Sequence, residues 1–155
     1  MSDESIKPIK GNAAKYLSYR LANGRMTAAI EAGFPLEAVA IAESLLSDRL
    51  LSFANAYGAG FEADRVVLGK AARKVEELCQ AQKDTEGQAL AQAAKEWARE
   101  RNVVLHAIAK SDQGEGPPIS ADSFVESAME VAVRGVELVK GVKAWHQQQL
   151  RKASP

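Results

Sequence analysis

The feature that most constrains the fold is the spacing of the apolar residues, which recur at three- and four-residue steps along most of the chain. This spacing places apolar side chains on one face of an α-helix, whereas a half-buried β-strand needs alternation with a period of two. Such alternation is absent from the sequence, and the β-branched residues are not clustered. The chain is therefore predicted to be all-α, an antiparallel bundle of four to five helices joined by short loops.

Glycine, proline and polar residues divide this pattern into segments of helical length. The predicted helices are 12–32, 36–57, 65–81, 86–110 and 120–150. Asp64 is the expected N-cap of the third helix, and Gly24 is expected either to bend the first helix or to divide it in two. The stretch 112–118 is rich in glycine and proline, so it is predicted to be a linker.

Length and composition favour one domain. A chain of 155 residues is long enough to bury one hydrophobic core. We expect a flexible N-terminal segment over residues 1–11, followed by a single helical-bundle domain over residues 12–150. The polar N-terminus does not resemble a signal peptide, and no apolar run is long enough to span a membrane. These features predict a cytoplasmic protein that has no membrane partner.

Charge and cysteine content exclude several classes of function. The 20 basic and 20 acidic residues cancel, which argues against nucleic-acid binding by bulk charge but not against a local basic site. Cys79 is the only cysteine, so neither an internal disulfide nor a cysteine-based metal cluster can form. The two histidines lie far apart in the sequence. We therefore expect no metal ion and no cofactor, and we predict that Cys79 is a core residue rather than a nucleophile.

The least ordinary stretch is Arg101-Asn102-x-x-x-His106, a polar group late in an alanine-rich helix. On a helical wheel, with about 100° per residue, Arg101 borders the apolar stripe, whereas Asn102 and His106 share the far side. Small residues fill the face between them and would let a second helix approach closely. This arrangement predicts a homodimer contact through the 86–110 helix. The small residues are Gly87, Ala91, Ala94, Ala98 and Ala109, accompanied by Leu105.

A purely structural interpretation of the same residues stays open. An arginine at the edge of a core commonly reaches solvent or pairs with a carboxylate, here Glu43 or Asp48. Asn102 and His106 can equally form an ordinary solvated helix face. The second histidine, His146, has no arginine at a matching interval, so it is predicted to be a surface residue near the end of the last helix.

The motif resembles that of the HEPN superfamily (higher eukaryotes and prokaryotes nucleotide-binding). Catalytic members of that superfamily carry Arg-x4-6-His on a helical bundle, often with Asn, Asp or His directly after the arginine. Here four residues separate Arg101 from His106, and Asn102 follows the arginine. Arg99 also stands at an allowed interval, but the asparagine favours Arg101. The likeness covers this stretch and the general helical layout, which makes the expected fold HEPN-like.

The resemblance implies a metal-independent endoribonuclease of the toxin or phage-defence type, with Arg101, Asn102 and His106 as catalytic residues. It implies RNA as the substrate, a homodimer in which two motifs face each other, and a cognate antitoxin protein as a further partner. In such a site the RNA 2′-hydroxyl attacks the adjacent phosphate. Histidine transfers protons near neutral pH, arginine binds the phosphate, and asparagine holds either group in place. The expected product is a 2′,3′-cyclic phosphate, formed without sensitivity to chelators.

Two other functions remain open. One is a non-catalytic protein of the same fold that binds a partner protein or a nucleotide. The other is a helical scaffold in which the motif residues are structural. A net charge of zero favours these alternatives, whereas the spacing of Arg101, Asn102 and His106 favours the ribonuclease. Lys140, Lys143, Arg151 and Lys152 of the last helix either guide RNA or form a solvated face.

Overall fold

Within the residues that the structure describes, the regular structure consists of five α-helices and includes no β-strand. The computed structural model describes residues 11–110 and 121–153, with side chains for 13–107 and 122–153. The helices are α1 (Gly11–Glu31), α2 (Pro35–Ala56), α3 (Leu68–Ala81), α4 (Thr85–Lys110) and α5 (Ala121–Ala153). The predicted all-α class is therefore confirmed. The linker predicted over 112–118 lies outside the described residues, as does the segment predicted over 1–11 except for Gly11, where α1 begins.

The helix boundaries follow the local signals in most places. Pro35 begins α2, and Gly33 and Gly58 adopt left-handed φ angles of 79° and 83° on either side of it, a conformation that glycine adopts without steric cost. Asp64, however, is not a helix cap. The third helix begins at Leu68, and its N-cap residue Val67 makes no side-chain hydrogen bond. Of the two possibilities for the first helix, the structure shows one helix that continues through Gly24.

The helices α4 and α5 pack antiparallel across a close interface. The indole of Trp97 donates to the Val131 carbonyl at 2.9 Å, and it lies so near Gly135 that a Cβ there would be 2.7 Å from the ring. At the other end of this interface, Trp145 lies against Gly87, and its indole N–H donates to the Asp84 carboxylate at 2.8 Å. A small residue on each helix, Gly87 on α4 and Gly135 on α5, therefore makes room for an indole of the other helix.

The core covers an apolar stripe along α2, but it does not cover the regularly spaced leucines of α1. The buried residues of the α2 stripe are Val39, Ala42, Leu45, Leu46, Leu50 and Phe53. On α1, the spaced leucines Leu17 and Leu21 are exposed, Leu21 to 74%. That helix instead buries Met26 and Ala29 against the core. The reason is that two faces of α1 carry apolar residues at helical spacing, and packing against α2 decides which face is covered.

The pairing of side chains shows how α2 sits in the bundle. It runs antiparallel to α1, because Asp48 meets Tyr19 and Glu37 meets Arg25. Its C-terminal half reaches α5, where the rings of Phe53 and Trp145 lie 4.6 Å apart. The second helix thus packs against α1, α3 and α5, and it reaches α4 through the side chain of Glu43. No helix among the described residues has both the length and the apolar character needed to cross a membrane.

Candidate functional site

Arg101 lies on the inner edge of α4, where it faces α2. Its Nη1 atom forms an ion pair with Glu43 of α2, and its Nη2 atom donates to the Asn102 side-chain oxygen at 2.8 Å. The Arg101 side chain is 14% exposed and that of Glu43 is 34% exposed. The Nε atom of Arg101 is buried and has no hydrogen-bond partner within the described part of the chain. The carboxylate pairing that the sequence left open is therefore made with Glu43 and not with Asp48.

Asn102 and His106 lie on the solvent side of α4, and both are exposed. Asn102 touches Arg101, but among the described residues no hydrogen bond joins His106 to either of them. Helix geometry gives the reason, since residues five apart are separated by about 7.5 Å along the axis and about 140° around it. One chain therefore brings Arg101, Asn102 and Glu43 together and leaves His106 apart from them.

Exposed apolar side chains occur on the motif helix and on the neighbouring α5. Val103 of α4 is 71% exposed, and Leu105 is also exposed. On the neighbouring helix, Val125 and Val133 are exposed along an open groove of α5. An ion pair of 2.9 Å between Arg134 in this groove and Glu100 connects the groove to the motif helix. Exposed apolar side chains on two neighbouring helices offer surface for a contact with another molecule.

The small-residue face of α4 is not a free surface. Gly87, Ala91, Ala94 and Ala98 are buried within the bundle, where Gly87 lies against Cys79 of α3 and Trp145 of α5. These four residues are therefore not available for the homodimer contact that the sequence predicted, and that prediction is wrong for them. A helical wheel shows which residues share a face, but it does not show which neighbour covers that face. The side chain of the fifth residue, Ala109, lies outside those that the structure describes.

A second polar cluster lies in a cleft of about 670 Å³ between α1, α2 and α5, called the α1–α2–α5 cleft below. Tyr19 donates a hydrogen bond to Asp48, and Lys15 pairs with the same carboxylate at 3.0 Å. The Arg49 guanidinium lies over the Tyr19 ring, 4.2 Å from its centre. The Nε atom of Arg49 is buried without a hydrogen-bond partner among the described residues. Sequence reasoning did not identify this cluster, because its members come from three helices.

His146 belongs to the same cleft, so the prediction of a surface residue near a helix end is wrong. The last helix continues to Ala153, which leaves His146 about two turns inside it. Its Nδ1 atom is buried and has no partner in the described part of the chain. Burial lowers the pKa of His146, the positive charges of Arg49 and Lys15 lower it further, and Asp48 partly opposes them. The spacing of Lys143, His146 and Leu150 was the available signal, since it puts them on one face of α5.

The charges in the cleft also determine the protonation of Asp48 and Tyr19. Burial alone would raise the pKa of Asp48, but the hydrogen bonds from Tyr19 and Lys15 and the charges of Lys15 and Arg49 outweigh it and lower that pKa. Burial raises the pKa of Tyr19, and the bond to Asp48 raises it further. At neutral pH the cleft therefore holds an ionised Asp48 and a protonated Tyr19.

Cys79 lies in the core, as predicted, and is fully buried. Burial raises the pKa of its thiol to about 12, with a further contribution from the charge of Asp84. The thiolate is the reactive form of cysteine, so Cys79 is unsuited to act as a nucleophile. Among the described residues, no group of three or more His, Cys, Asp or Glu side chains is placed to hold a metal ion.

Comparison with known proteins yields no relative: no protein-family model matches the chain, and neither the curated proteins nor the solved structures include a significant match.

Proposed function

We propose that the chain is a HEPN-like, metal-independent endoribonuclease of the toxin or phage-defence type, in which Arg101, Asn102 and His106 act at a cleft between two copies. The observation that supports it best is the position of Arg101. Its guanidinium is held by Glu43 and Asn102, little more than one helical turn from an exposed histidine. A fixed cation and an accessible imidazole are the two groups that metal-free RNA cleavage requires, and a second copy of the chain would bring them together.

The Arg101 guanidinium still has N–H groups that can donate hydrogen bonds to a phosphate. Each terminal nitrogen of arginine carries two N–H groups, so the contacts with Glu43 and Asn102 do not use them all. Because arginine stays charged and presents a planar fork, it can bind two oxygens of one phosphate. A guanidinium that is already positioned also needs little reorganisation when negative charge develops on the phosphorane-like transition state.

His106 supplies the proton transfers in this proposal. A neutral imidazole accepts the proton of the 2′-hydroxyl while the 2′-oxygen attacks the adjacent phosphorus. The bond between phosphorus and the 5′-oxygen then breaks, and a protonated imidazole donates a proton to that oxygen. The products are a 2′,3′-cyclic phosphate and a 5′-hydroxyl. Two copies of the chain supply two imidazoles, one for each proton transfer.

A second copy completes the site, because Arg101 and His106 do not meet within one chain. Val103 and Leu105 on α4, together with Val125 and Val133 on α5, offer exposed apolar surface for that contact. The proposed homodimer therefore uses the exposed side of the motif helix rather than its buried small-residue face. A cognate antitoxin, where one exists, would inhibit the enzyme by covering the same surface.

The ion pair between Arg101 and Glu43 favours a second candidate function, a non-catalytic binding or scaffold protein of the same fold. A carboxylate that neutralises a largely buried guanidinium is also what a structural brace between α2 and α4 would require. In that function Arg101 stabilises the bundle, and His106 is replaceable without consequence.

The two functions are separated by replacing each histidine in turn. Purified wild-type protein is expected to cleave single-stranded RNA in the presence of a chelator, with a cyclic phosphate at the new 3′ end. The His106→Ala variant should be at least about 100-fold slower, the low end of the contribution of general acid–base catalysis. His146→Ala is the matched control and should keep the wild-type rate. Equal rates for wild type and His106→Ala, after identical purification, would rule out the ribonuclease.

A further inference from the structure

The α1–α2–α5 cleft holds more positive charge than its carboxylate neutralises. Lys15, Arg20, Arg49 and Lys143 line it, and Asp48 is the only acidic residue among the described residues of the lining. That carboxylate is already paired with Lys15 at 3.0 Å. Within the described ranges, Arg20, Arg49 and Lys143 form no ion pair with any carboxylate. The cleft therefore has a local excess of cations although the chain as a whole is neutral.

Unused hydrogen-bonding atoms point to the same conclusion. Buried polar atoms in folded proteins nearly always have a partner, whether protein, water or ligand. In this cleft the Nε atom of Arg49 and the Nδ1 atom of His146 are buried and have none among the described residues. Arg49 is also held in place by its contact with the Tyr19 ring. An anion in the cleft would accept a hydrogen bond from Arg49 and also from whichever nitrogen of His146 carries a proton.

The size and the rim of the cleft fit more than a simple ion. Its volume of about 670 Å³ lies within the range of about 300–1,000 Å³ found for small-molecule sites. Tyr16 is exposed at the rim, and Leu150 adds apolar surface on the opposite helix. An aromatic side chain next to cations suits a ligand that combines negative charge with a flat ring.

We propose that the α1–α2–α5 cleft binds a phosphate ester that carries a flat ring, with the phosphate against Arg20, Arg49 and Lys143 and the ring against Tyr16. A phosphate suits three cations better than a carboxylate does, because it carries up to two charges and has an additional oxygen. The cleft is separate from the motif. Its end of α5 lies near Gly87, about 20 Å along α4 from Arg101, so the assignment does not depend on RNA cleavage.

The first test is a titration of the isotopically labelled full chain, followed by NMR. The probes are phenyl phosphate, inorganic phosphate and benzoate, which separate the ring from the charge. Phenyl phosphate should cause saturable shifts of Tyr16, Tyr19 and His146 and none of His106. It should bind at least about tenfold more tightly than benzoate, which has the same ring but one charge. The absence of saturable shifts with phenyl phosphate in the millimolar range would overturn the assignment.

A matched pair of charge reversals tests the location. The double variant Arg20→Glu/Lys143→Glu should bind phenyl phosphate at least about tenfold more weakly. The control Arg65→Glu/Arg73→Glu changes the net charge equally, at positions whose side chains are 77% and 76% exposed outside the cleft. It should bind like the wild type. Equal binding by both double variants, or an equal loss in both, contradicts the proposal.

A third variant tests the ring contact and does not disturb the core. Tyr16→Ala should weaken the binding of phenyl phosphate and leave that of inorganic phosphate unchanged, because only the ring contact is removed. If the charge-reversed protein does not fold, Tyr16→Ala still tests whether the ligand binds in the cleft. Equal binding of phenyl phosphate by Tyr16→Ala and the wild type would exclude the ring contact.

The same chemistry can come from a free phosphorylated molecule or from an RNA strand. A short 2′-O-methyl RNA separates these sources, since it has phosphates and bases but no 2′-hydroxyl to attack. Competition with phenyl phosphate at His146 assigns the cleft to an RNA strand, and the absence of competition assigns it to a free phosphate ester. Cleavage is not measured in these experiments, so a failure of the ribonuclease proposal would not affect their outcome.

Discussion

Two carboxylates of α2 meet positive charge in different ways. Glu43 faces α4 and pairs with one guanidinium, that of Arg101. Asp48 faces α1 and pairs with Lys15, while Arg49 lies close enough to lower its pKa. At Glu43 the charges balance one to one, whereas at Asp48 the cations outnumber the carboxylate. One amphipathic helix can therefore form a charge-balanced ion pair on one side and contribute to a cleft with excess positive charge on another.

The two histidines also differ in their surroundings, as the two carboxylates do. His106 is exposed on the same helix as the Arg101–Glu43 ion pair. A substrate or a second copy of the chain can reach it there. His146 is half-buried in the cleft, with cations nearby that oppose its protonation. A histidine intended for proton transfer needs access to the reacting atoms, so the motif histidine is the better candidate. The cleft histidine is better suited to hydrogen bonding with an anion.

The largest expected effect is that of Arg101→Ala, which removes the ion pair between Arg101 and Glu43. RNA cleavage should fall at least about 100-fold, because the transition state loses its fixed cation. The free energy of unfolding should fall by about 1–3 kcal/mol, because Glu43 is left partly buried without its partner. RNA cleavage assays and urea unfolding measure the two effects separately.

Glu43→Gln is the control for that prediction. It keeps an acceptor for Arg101, so the loss of stability should be smaller, about 1 kcal/mol or less. Asn102 still holds the arginine, and most of the cleavage activity should remain. Unchanged stability in Arg101→Ala would mean that the pair with Glu43 contributes nothing to the fold, and unchanged cleavage would remove Arg101 from the proposed chemistry.

An intermediate effect is expected for Asp48→Asn, which removes the carboxylate of the cleft. The free energy of unfolding should fall by about 0.5–1.5 kcal/mol, since Lys15 loses its ion pair and the cations lose their counter-charge. Urea unfolding with added phenyl phosphate should show part of this stability restored, because an anion that binds only the folded state stabilises it. RNA cleavage should not change. A variant more stable than the wild type would show that the cations of the cleft do not repel one another.

The smallest expected effect is a dependence of stability on pH that comes from His146. Its pKa is lowered in the folded protein, whereas in the unfolded chain it takes the ordinary value of about 6.5. As the pH falls through that ordinary value, the unfolded chain binds the proton first, so the free energy of unfolding decreases. Asp48, whose pKa is also lowered, loses its stabilising contribution only at more acidic pH.

Urea unfolding at about pH 7.5 and about pH 5.5 measures this effect. The wild type should lose more stability between the two values than His146→Gln, which cannot take up the proton. His106→Gln is the matched control at the other histidine. An equal loss in wild type and His146→Gln would show that the environment of His146 does not disfavour its charged form.

Much of the fold could be predicted because the relevant signals are local. Apolar spacing and glycine or proline punctuation located the helices, and Pro35 and Gly58 marked the ends of α2. The same local information placed the Arg101–His106 motif on α4 and Cys79 in the core. Such signals depend on the φ and ψ preferences of single residues and on the helical repeat, both of which are properties of the chain itself.

The tertiary structure alone decided which faces and which partners meet. Packing against α2 exposed Leu21 and buried Met26, and packing of α3 and α5 covered the small residues of α4. The choice of Glu43 as the partner of Arg101 and the position of the half-buried His146 in a cleft have the same origin. Spacing along one helix determines which residues share a face, but the neighbour that covers that face is determined by the packing of the whole core.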